Sequence, residues 1–563
     1  MTIKTIPATV LADFYKITHR MFYPAGTTEI YSTWIPRSAE YFSAKTDFAV
    51  GFGFQLFIKK YLMDYFDKNF FGRTEDEVAS EYEYIIKNTL GGDVDASHIR
   101  ALHRLGYLPL EIKAVPEGTK VPIKVPSLTI RNTQPEFYWL TNYLETIMSS
   151  ELWMPSNSAT IAAHYRSLLD GWAMNTTGST AGVEFQGHDF SFRGMSGLDS
   201  AVASGMGHLL SFTGTDNIPA IVGAQNYYDA DLSKELIGSS VAATEHSIMS
   251  SFGRDELKAF NTIIDSVPEG IVSIVSDTYD FWNVLETVLP TLKEKIMTRN
   301  GKVVIRPDSG NPIDIICGTI DYDLVFSSEN KSNPTEIWEY WMEMLDYITQ
   351  LTVDPEDSSV HYIRVKLDDA VYRIGWSYEN DNYTINTDKP ELLELSPEEK
   401  GTIQLLWETF GGTFSEQGYR ILDSHIGLLY GDAITLERAD AISAKLAQNG
   451  FASTNVIFGV GSFTFQFQTR DSLGYALKST YAKINGEEVF IEKDPKTDDK
   501  NLKKSLTGKV VVVRNAKGSL QAIDHLNDEQ EAAFTDNVLQ TIFKDGVITK
   551  EYTFAEVKKN LHG

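Results

Sequence analysis

The sequence is short of cysteine, of positive charge and of long apolar runs. Cys317 is the only cysteine among 563 residues, which excludes an intramolecular disulfide and a cysteine-based zinc site. Acidic residues outnumber basic ones, 77 against 50, and the formal net charge is -27. Because a nucleic-acid backbone is bound through a positive surface, we expect no nucleic-acid partner.

Membrane and export signals are also missing from the sequence. No stretch approaches the roughly 20 apolar residues of a membrane span. The N-terminal segment MTIKTIPATVLADFYKITHR lacks the uninterrupted apolar core of a signal peptide. Hydrophobic residues make up 42% and charged residues 23%, as in globular proteins. We therefore expect a cytoplasmic globular protein without a membrane partner.

Several short apolar runs end in a polar or glycine-bearing turn and then continue into a helical pattern. They are HDFSFRGMSG, IPAIVGAQN, GIVSIVSDTYD, KVVIRPDSGNP, HIGLLYGDAI and TNVIFGVGSF, and each predicts a strand, a turn and a helix. Asp308 follows Asp277 by 31 residues, a step that suits one strand plus one helix. The pattern predicts an α/β fold, an irregular (β/α) barrel whose turn residues meet at one mouth.

The regular spacing is interrupted once, and both chain ends have a different pattern. Asp432 follows Asp308 by 124 residues, which predicts an insertion of roughly 80 to 90 residues inside one βα unit. In it, ENKSNPTEIWEYWMEMLDYITQL predicts a helix and YIRVKLDDAVYRIGWSYENDNYTIN predicts strands.

The two ends of the chain predict β-structure. Near the N-terminal end, LEIKAVPEGTKVPIKVPSLTIRN predicts short strands, and near the C-terminal end KINGEEVFIE and KVVVVRNAKGSLQAI predict hairpins. Both ends together therefore predict a β-rich accessory domain. The predicted division is 1–180, N-terminal part with β-rich accessory segments; 181–318, barrel, first part; 319–400, inserted α+β lobe; 401–470, barrel, second part; 471–563, C-terminal β-rich and helical segment.

Charged residues stand at successive predicted strand ends, where barrel enzymes carry their chemistry. In VVIRPDSGNP, Arg306 offers a planar fork to a phosphate, and Asp308 can hold Mg²⁺ or accept from hydroxyls. The alternative interpretation of this segment is an ordinary turn with a surface arginine. His246, in SVAATEHSIMSSFGRDE, is by itself either a packed structural histidine or a catalytic imidazole.

Eight ordered segments carry a resemblance to a known family. They are DFYKITHRMFYPAGTTEIYS, HDFSFRGMSG, FTGTDNIPA, AATEHSIMSSFGRDE, IVSIVSDTYD, IRPDSGNP, YGDAI and TRDSLGYALKSTY. In order and spacing the sequence resembles the nicotinamide phosphoribosyltransferase family over most of the chain outside the insertion. The resemblance implies an irregular (β/α) barrel of the type II phosphoribosyltransferase kind with the accessory domain and the inserted lobe.

The resemblance also implies an activity and its partners. The family transfers phosphoribose from 5-phosphoribosyl 1-pyrophosphate to the ring nitrogen of nicotinamide, giving nicotinamide mononucleotide and pyrophosphate in NAD salvage. Mg²⁺ and ATP are the implied cofactors, and a homodimer with shared active sites is the implied assembly. For nicotinamide, Phe190 is implied to stack on one face and Tyr15 of the partner subunit on the other, Arg193 and Asp216 to hold the carboxamide, and Asp13 of the partner subunit to support them.

The remaining implied site residues bind phosphates or act on them. Those for the phosphoribosyl and phosphate groups are Arg306, Ser240, Gly431, Asp432, Gly461, Ser462, Arg470, Arg37, Lys478 and Lys493. Asp277 and Asp308 are implied as catalytic residues and as the Mg²⁺ ligands. His246 is implied to accept a phosphoryl group from ATP, and Asp277 or Glu245 is the expected orienting acid. Ser462 departs from the family, which has a glycine at that position.

Two rival functions stay open. A nicotinate or quinolinate phosphoribosyltransferase shares the barrel but needs a cation where Asp216 stands, because an acid there repels a substrate carboxylate. A non-catalytic binding protein on a decayed barrel is the second rival, but the candidate residues His246, Arg306, Asp308 and Arg193 are all present.

Overall fold

A computed structural model describes residues 3–326, 361–367, 370–379, 382–431, 433–493 and 506–563. The chain divides into two compact units. Unit 1 comprises Met1–Ser167, Gly187–Ser240 and Val460–Gly563, and unit 2 comprises Leu168–Gln186 and Val241–Gly459. The division into five parts made from the sequence stays a prediction.

The strands of the described residues are, in chain order, β1 Thr27–Ile35, β2 Phe48–Gly51, β3 Leu110–Ala114, β4 Thr119–Pro122, β5 Leu128–Asn132, β6 Gly187–Asp189, β7 Gly214–Thr215, β8 Ala242–Ala243, β9 Glu269–Val275, β10 Asn300–Arg306, β11 Leu324–Phe326, β12 His361–Leu367, β13 Ala370–Glu379, β14 Asn382–Leu392, β15 Gly412–Phe414, β16 Arg420–Leu422, β17 Ile426–Tyr430, β18 Val456–Val460, β19 Ala476–Ile484, β20 Glu487–Phe490, β21 Lys509–Arg514, β22 Leu520–Leu526, β23 Gln540–Lys544 and β24 Val547–Ile548.

The α-helices of the described residues are α1 Lys16–Phe22, α2 Phe54–Phe57, α3 Glu75–Thr89, α4 Ser97–Leu105, α5 Leu140–Tyr143, α6 Glu145–Thr177, α7 Leu198–Leu209, α8 Ile218–Tyr228, α9 His246–Ser250, α10 Glu256–Ser266, α11 Phe281–Asn283, α12 Leu289–Met297, α13 Pro312–Cys317, α14 Pro397–Phe410, α15 Leu436–Gln448, α16 Ser462–Phe465, α17 Asp528–Ala533 and α18 Phe554–His562. Short π-helical or 3₁₀ segments add Ala8–Val10, Ile58–Tyr65, Asp67–Phe71, Pro135–Phe137, Val183–Phe185, Phe192–Gly194, Val284–Val288, Ser453–Asn455 and Arg470–Ser472. None of the helices in these described ranges is long and apolar enough to cross a membrane.

Unit 1 contains an antiparallel sheet built from both ends of the chain. Its strand order is β20–β19–β1–β5–β3–β23–β24. Strand β1 therefore lies between β19 from the C-terminal part and β5 from the N-terminal part. Asn485 and Gly486 form the turn of the β19–β20 hairpin with φ angles of 52° and 82°, which an Asn-Gly turn accepts readily. The prediction that β-strands from both chain ends come together is confirmed.

A buried lysine also joins the two chain ends in unit 1. Lys509, on β21, is fully buried, and its Nζ lies 2.8 Å from Glu29 Oε1 on β1. The same Nζ pairs with the Asp528 carboxylate at the start of α17. The ammonium lies over the rings of Tyr31 and Tyr481, at 5.7 and 4.8 Å from their centroids. One buried cation therefore pairs with a carboxylate from each end of the chain.

We expect Lys509→Met to lower the free energy of unfolding by about 2 kcal/mol, because it removes a fully buried cation from Glu29 and Asp528 and leaves these partly buried carboxylates to the more exposed Arg131 and Lys483. Urea denaturation and the thermal midpoint measure the loss. Lys483→Met is the matched control: Lys483 lies 3.2 Å from the same Asp528 but is more exposed, so its loss should stay below about 1 kcal/mol. Equal losses in the two variants would contradict the role of Lys509.

Unit 2 contains a parallel sheet. Strands β8, β9, β10, β17 and β18 pair in this order, each parallel to the next. Consecutive residues of β10, Val303, Val304 and Ile305, are buried, as expected for a strand covered on both faces. Helix α12 follows β9 and α15 follows β17, so strands and helices alternate along the chain. This alternation agrees with the predicted α/β class. In unit 1, β6 and β7 form a further parallel pair.

The predicted insertion has its own sheet. Strands β11, β12, β13 and β14 form a four-stranded sheet in that order. In sequence they lie between β10 and β17 of the parallel sheet. The predicted strands in YIRVKLDDAVYRIGWSYENDNYTIN are confirmed. The predicted helix in ENKSNPTEIWEYWMEMLDYITQL lies outside the described residues.

The prediction of a strand in IPAIVGAQN is wrong, because this segment is part of helix α8. Pro219 stands in the first turn of the helix, where a missing N–H removes no helical hydrogen bond. Ala220 and Ala224 are fully buried in the hydrophobic core of unit 1. The solvent-exposed face of the helix also carries apolar residues, since Ile218 and Val222 are 69% and 44% exposed, and this hides the helical period in the sequence.

Candidate active site

The catalytic candidates of unit 2 follow the ends of its parallel strands. Asp277 comes two residues after β9 and Asp308 comes two residues after β10, while Arg306 is the last residue of β10. His246 comes three residues after β8, as the first residue of α9. Because neighbouring parallel strands end at the same edge of a sheet, residues far apart in sequence meet there.

His246, Asp277 and Asp308 form one cluster in unit 2. His246 Nε2 lies 3.1 Å from Asp308 Oδ1 and 3.9 Å from Asp277 Oδ1. The other ring nitrogen, Nδ1, is hydrogen-bonded to Thr278 Oγ1 at 3.0 Å. Both nitrogens of the half-exposed imidazole are thus held in place, and its ring is oriented by groups from two strand ends.

This geometry corrects the expected orienting acid. Glu245 accepts a hydrogen bond from the Ser247 hydroxyl, and the acid within hydrogen-bonding distance of His246 is Asp308. Asp277, the other acid expected for this role, lies farther away at 3.9 Å. The Asp308 contact spans 62 residues of sequence. The sequence around His246 therefore does not predict this contact.

The two carboxylates suit a divalent cation. One ligand atom from each of His246, Asp277 and Asp308 lies within 4.8 Å of the others. Asp277 is only 6% exposed, and its Oδ2 accepts from the Asp308 backbone N–H at 3.0 Å and from the Ser309 hydroxyl at 2.5 Å. Its Oδ1 is buried and finds no hydrogen-bond partner among the described residues. A buried carboxylate oxygen without a donor beside a second carboxylate is the donor set that Mg²⁺ uses.

The other candidates of unit 2 are placed less completely. An Arg306 guanidinium nitrogen donates to the Thr244 backbone carbonyl, just before His246 in sequence. Gly431 follows β17 directly, so it also stands at a strand end. Asp432 lies outside the described residues.

Unit 1 contains a small pocket lined by three of the predicted nicotinamide-binding residues. Phe190, Arg193 and Asp216 line it together with Asp189 and Phe192, and its volume is about 160 Å³. Phe190 follows β6 and Asp216 follows β7, so the strand ends of this parallel pair also supply its walls. An aromatic ring, a guanidinium and a carboxylate around one small cavity can hold a flat ring bearing an amide.

Two donors fix the carboxylate of this pocket. Asp216 Oδ1 lies 2.9 Å from His188 Nε2, and it accepts a hydrogen bond from the Ser240 hydroxyl at 2.5 Å. The predicted contact of Ser240 with the phosphoribosyl group stays a prediction. The side chain of Asp216 is 44% exposed, so it also faces solvent.

The predicted phosphate-binding cations of unit 1 influence one another. Burial lowers the pKa of Lys478, Glu145 raises it, and the charges of Arg37, Lys493 and Lys16 lower it further. Burial likewise lowers the pKa of Arg37, and the charge of Arg470 adds to this effect. Cations that depress one another's pKa values form a locally positive region in an acidic protein, which favours an anion.

Gly461 and Ser462 stand at the end of β18. Gly461 precedes the one-turn helix α16, which Ser462 begins. A Cβ atom on Gly194 would lie 2.0 Å from Ser462 Oγ, so the serine hydroxyl fills the space over this glycine. Ser462 therefore packs against the turn that carries Arg193.

Asp13 and Tyr15 lie before helix α1 in unit 1. Asp13 is hydrogen-bonded to Thr146, whose hydroxyl donates to Asp13 Oδ2 at 2.9 Å. Tyr15 is 57% exposed, and its ring centroid lies 5.1 Å from that of His19. Their predicted roles in a partner subunit's site stay predictions.

Sequence reasoning missed several polar neighbours of the candidates. Thr278 holds His246, Ser309 donates to Asp277, and His188 contacts Asp216. Thr278 lies in IVSIVSDTYD, Ser309 in IRPDSGNP and His188 in HDFSFRGMSG, so their place in these segments was the available signal. The contacts themselves join different strands, so only the fold shows them.

Comparisons with known proteins agree with this arrangement. The profile of the nicotinate phosphoribosyltransferase (NAPRTase) family matches residues 185–364 and 385–541. A protein of Acinetobacter baylyi (strain ATCC 33305 / BD413 / ADP1) named nicotinamide phosphoribosyltransferase is 41% identical over 561 residues, covering 98% of this chain and 96% of that protein. A Mycoplasma pneumoniae protein (strain ATCC 29342 / M129 / Subtype 1) of the same name is 29% identical and covers 86% of this chain and 92% of its own.

A solved structure agrees in fold. Human nicotinic acid phosphoribosyltransferase superposes with a TM-score of 0.50 over 98% of this chain and 93% of its own, at 14% sequence identity. At that identity the likeness concerns the fold alone. Together with the family profile it confirms the predicted fold class.

Proposed function

Because the chain belongs to the nicotinate phosphoribosyltransferase (NAPRTase) family, we propose that this phosphoribosyltransferase acts on nicotinamide. It transfers the phosphoribosyl group of 5-phosphoribosyl 1-pyrophosphate to the ring nitrogen and gives nicotinamide mononucleotide and pyrophosphate, a step of NAD salvage. The observation that carries the choice of substrate is Asp216, whose carboxylate lines the pocket beside Phe190 and Arg193. A carboxylate accepts from an amide NH₂ and repels the carboxylate of nicotinate.

The transfer needs no base to activate its nucleophile. The lone pair of the pyridine nitrogen attacks the anomeric carbon, the bond from that carbon to the pyrophosphate oxygen breaks, and the ring becomes a pyridinium. Phe190 stacks on the ring and orients it, while Arg193 and Asp216 fix the carboxamide. The cations Arg37, Arg470 and Lys478 bind phosphate oxygens on which negative charge grows in the transition state.

The proposal includes Mg²⁺ at Asp277 and Asp308. The buried Asp277 Oδ1 without a hydrogen-bond partner in the described chain supports this assignment. The bound ion would stabilise the charge of the departing pyrophosphate. Asp277 keeps its other oxygen on the Asp308 N–H and on Ser309, which holds the two acids at a fixed separation.

ATP is proposed as the second cofactor, acting through His246. One imidazole nitrogen attacks the γ-phosphorus, an N–P bond forms, the bond to the ADP oxygen breaks and ADP leaves; water later hydrolyses the phosphohistidine. The contacts of His246 with Thr278 and Asp308 support this role, because they orient the ring as a nucleophile requires.

A cytoplasmic homodimer completes the proposal. Several large apolar side chains of the N-terminal segment are exposed in the single chain, namely Ile6, Phe14, Tyr15, Met21 and Phe22. Exposed apolar clusters of this kind are typical of protein interfaces. This supports a partner subunit that covers them and receives Tyr15 and Asp13 in its nicotinamide site.

The proposed reaction is tested with purified protein, 5-phosphoribosyl 1-pyrophosphate and Mg²⁺, with nicotinamide or nicotinate as acceptor. We expect nicotinamide mononucleotide as product, and a kcat/KM for nicotinamide far above that for nicotinate. A preference for nicotinate would favour the first rival function, in which Arg193 binds the substrate carboxylate. A protein that forms neither nucleotide would support the non-catalytic rival.

We expect His246→Ala to keep basal transfer and to lose the stimulation by ATP, which we place at about tenfold in the unmodified protein. Initial rates with and without ATP measure the stimulation, and mass spectrometry after incubation with ATP detects the phosphate on His246. His425→Ala is the matched control in unit 2, since His425 also pairs with an acid, Asp423, at 2.7 Å. Unchanged ATP stimulation in His246→Ala would contradict the phosphohistidine.

A further inference from the structure

His188 contacts two walls of the nicotinamide pocket without lining the pocket itself. Its Nε2 lies 2.9 Å from Asp216 Oδ1, and its ring centroid lies 4.7 Å from that of Phe190 with an interplanar angle of 44°. The side chain is 10% exposed. One nearly buried imidazole therefore contacts both the stacking ring and the carboxylate that select the substrate.

The backbone of the parallel pair makes room for this imidazole. His188 on β6 lies opposite Gly214 on β7. A Cβ atom on Gly214 would lie 2.8 Å from His188 Nδ1 and 2.9 Å from the Gly187 carbonyl oxygen. Any side chain at position 214 would displace the imidazole ring. The position of the His188 ring therefore depends on this glycine.

The contacts of His188 and Ser240 with Asp216 use the same carboxylate oxygen. The His188 ring and the Ser240 hydroxyl both act on Oδ1, and neither of these two contacts uses Oδ2. Because an ionised carboxylate only accepts, the Nε2 of His188 carries the proton in this contact. Two donors on one oxygen fix the rotation of the carboxylate about its Cβ–Cγ bond.

We propose that His188 is a positioning residue that sets the choice between nicotinamide and nicotinate by holding the Asp216 carboxylate. This inference rests on the proposed function and names the residue that gives its pocket selectivity. With the carboxylate fixed, the acceptor oxygen meets the amide NH₂ of nicotinamide in one orientation, and the same fixed charge opposes nicotinate. Without His188 the half-exposed carboxylate keeps the Ser240 hydroxyl but loses one of the donors that fix its rotation, and both effects weaken.

Three variants test the proposal by steady-state kinetics with both acceptors. In His188→Met we expect the KM for nicotinamide to rise about tenfold with kcat within about twofold, and the preference over nicotinate to fall about tenfold. His188→Gln should stay within about threefold of the unmodified protein, because the glutamine NH₂ donates in place of Nε2. Gly214→Ala, which leaves the histidine in the chain but displaces its ring, should behave like His188→Met.

The outcomes separate this inference from the proposed function. If the unmodified protein makes no nicotinamide mononucleotide, the proposed function and the positioning role of His188 are both overturned. If it makes the product with a preference for nicotinamide, but His188→Met and Gly214→Ala keep that KM and preference, the positioning role alone is overturned. An equal loss in His188→Gln and His188→Met overturns the donor role. If His188→Met does not fold, Gly214→Ala decides.

A second histidine of unit 1 supplies the control. The Nε2 of His103 lies 2.8 Å from the Arg73 carbonyl oxygen, so His103→Met also removes a hydrogen-bonded imidazole. We expect it to leave the KM and the preference unchanged. A shift in preference equal to that of His188→Met would overturn the proposal, because a general loss of unit 1 stability would then explain both.

Discussion

Asp277→Asn is expected to lower kcat by about 10³-fold, because it removes a charge from the proposed Mg²⁺ site while keeping the shape of the side chain. The asparagine carbonyl can still accept from the Asp308 N–H and the Ser309 hydroxyl. Its NH₂ then occupies the place of Oδ1, where a donor repels a cation. Rates of nicotinamide mononucleotide formation over a range of Mg²⁺ concentrations measure the effect, and the variant should need more Mg²⁺ for half-maximal rate.

Asp280→Asn is the matched control for Asp277→Asn. Asp280 lies in the same loop and is an acid of the same size, but it caps helix α11 by accepting from the Asn283 N–H at 3.1 Å. Its replacement costs at most about 1 kcal/mol of stability and should leave the Mg²⁺ dependence unchanged. An Asp277→Asn protein with normal kcat and normal Mg²⁺ dependence would remove Asp277 from the cation site.

The strand ends of unit 2 could be predicted from the sequence because each strand and its turn are adjacent in the chain. Buried parallel strands appear in the sequence as short apolar runs. The polar residue after each run marks the carboxyl end of the strand, where active-site residues stand in such folds. Asp277 and Asp308 were found in this way, and the structure brings both to His246. The Asn485-Gly486 hairpin was predicted for the same reason, since its signal is local.

The contacts between these ends could not be predicted, because they join distant parts of the chain. Glu245 was an expected partner of His246 since it is adjacent in sequence, but the fold brings Asp308 there. His188 lies in the segment HDFSFRGMSG, yet only the pairing of β6 with β7 places it against Asp216. The prediction failed on helix α8 because apolar residues, Ile218 and Val222, also stand on its exposed face, so the sequence lacks the polar face that indicates a surface helix.

Asp216→Asn is expected to reduce the preference for nicotinamide over nicotinate by about 30-fold. Two like charges about 4 Å apart at an effective dielectric constant of about 20 repel by about 4 kcal/mol, and the half-exposed side chain leaves about 2 kcal/mol after screening by solvent. Asparagine removes this repulsion, and its NH₂ can donate to the nicotinate carboxylate. The kcat/KM values for the two acceptors, measured side by side, give the ratio.

Asp199→Asn separates a local effect of Asp216 from the general electrostatics of an acidic protein. Asp199 is an exposed acid of the same unit, paired with Lys60 at 2.7 Å, so its replacement changes the net charge equally. If the preference depends on a carboxylate fixed beside the amide, Asp216→Asn changes it and Asp199→Asn does not. If Asp199→Asn shifts the ratio as much, or if Asp216→Asn leaves it unaltered, the carboxylate does not contact the amide, and the choice of acceptor must come from Arg193 and the stacking ring.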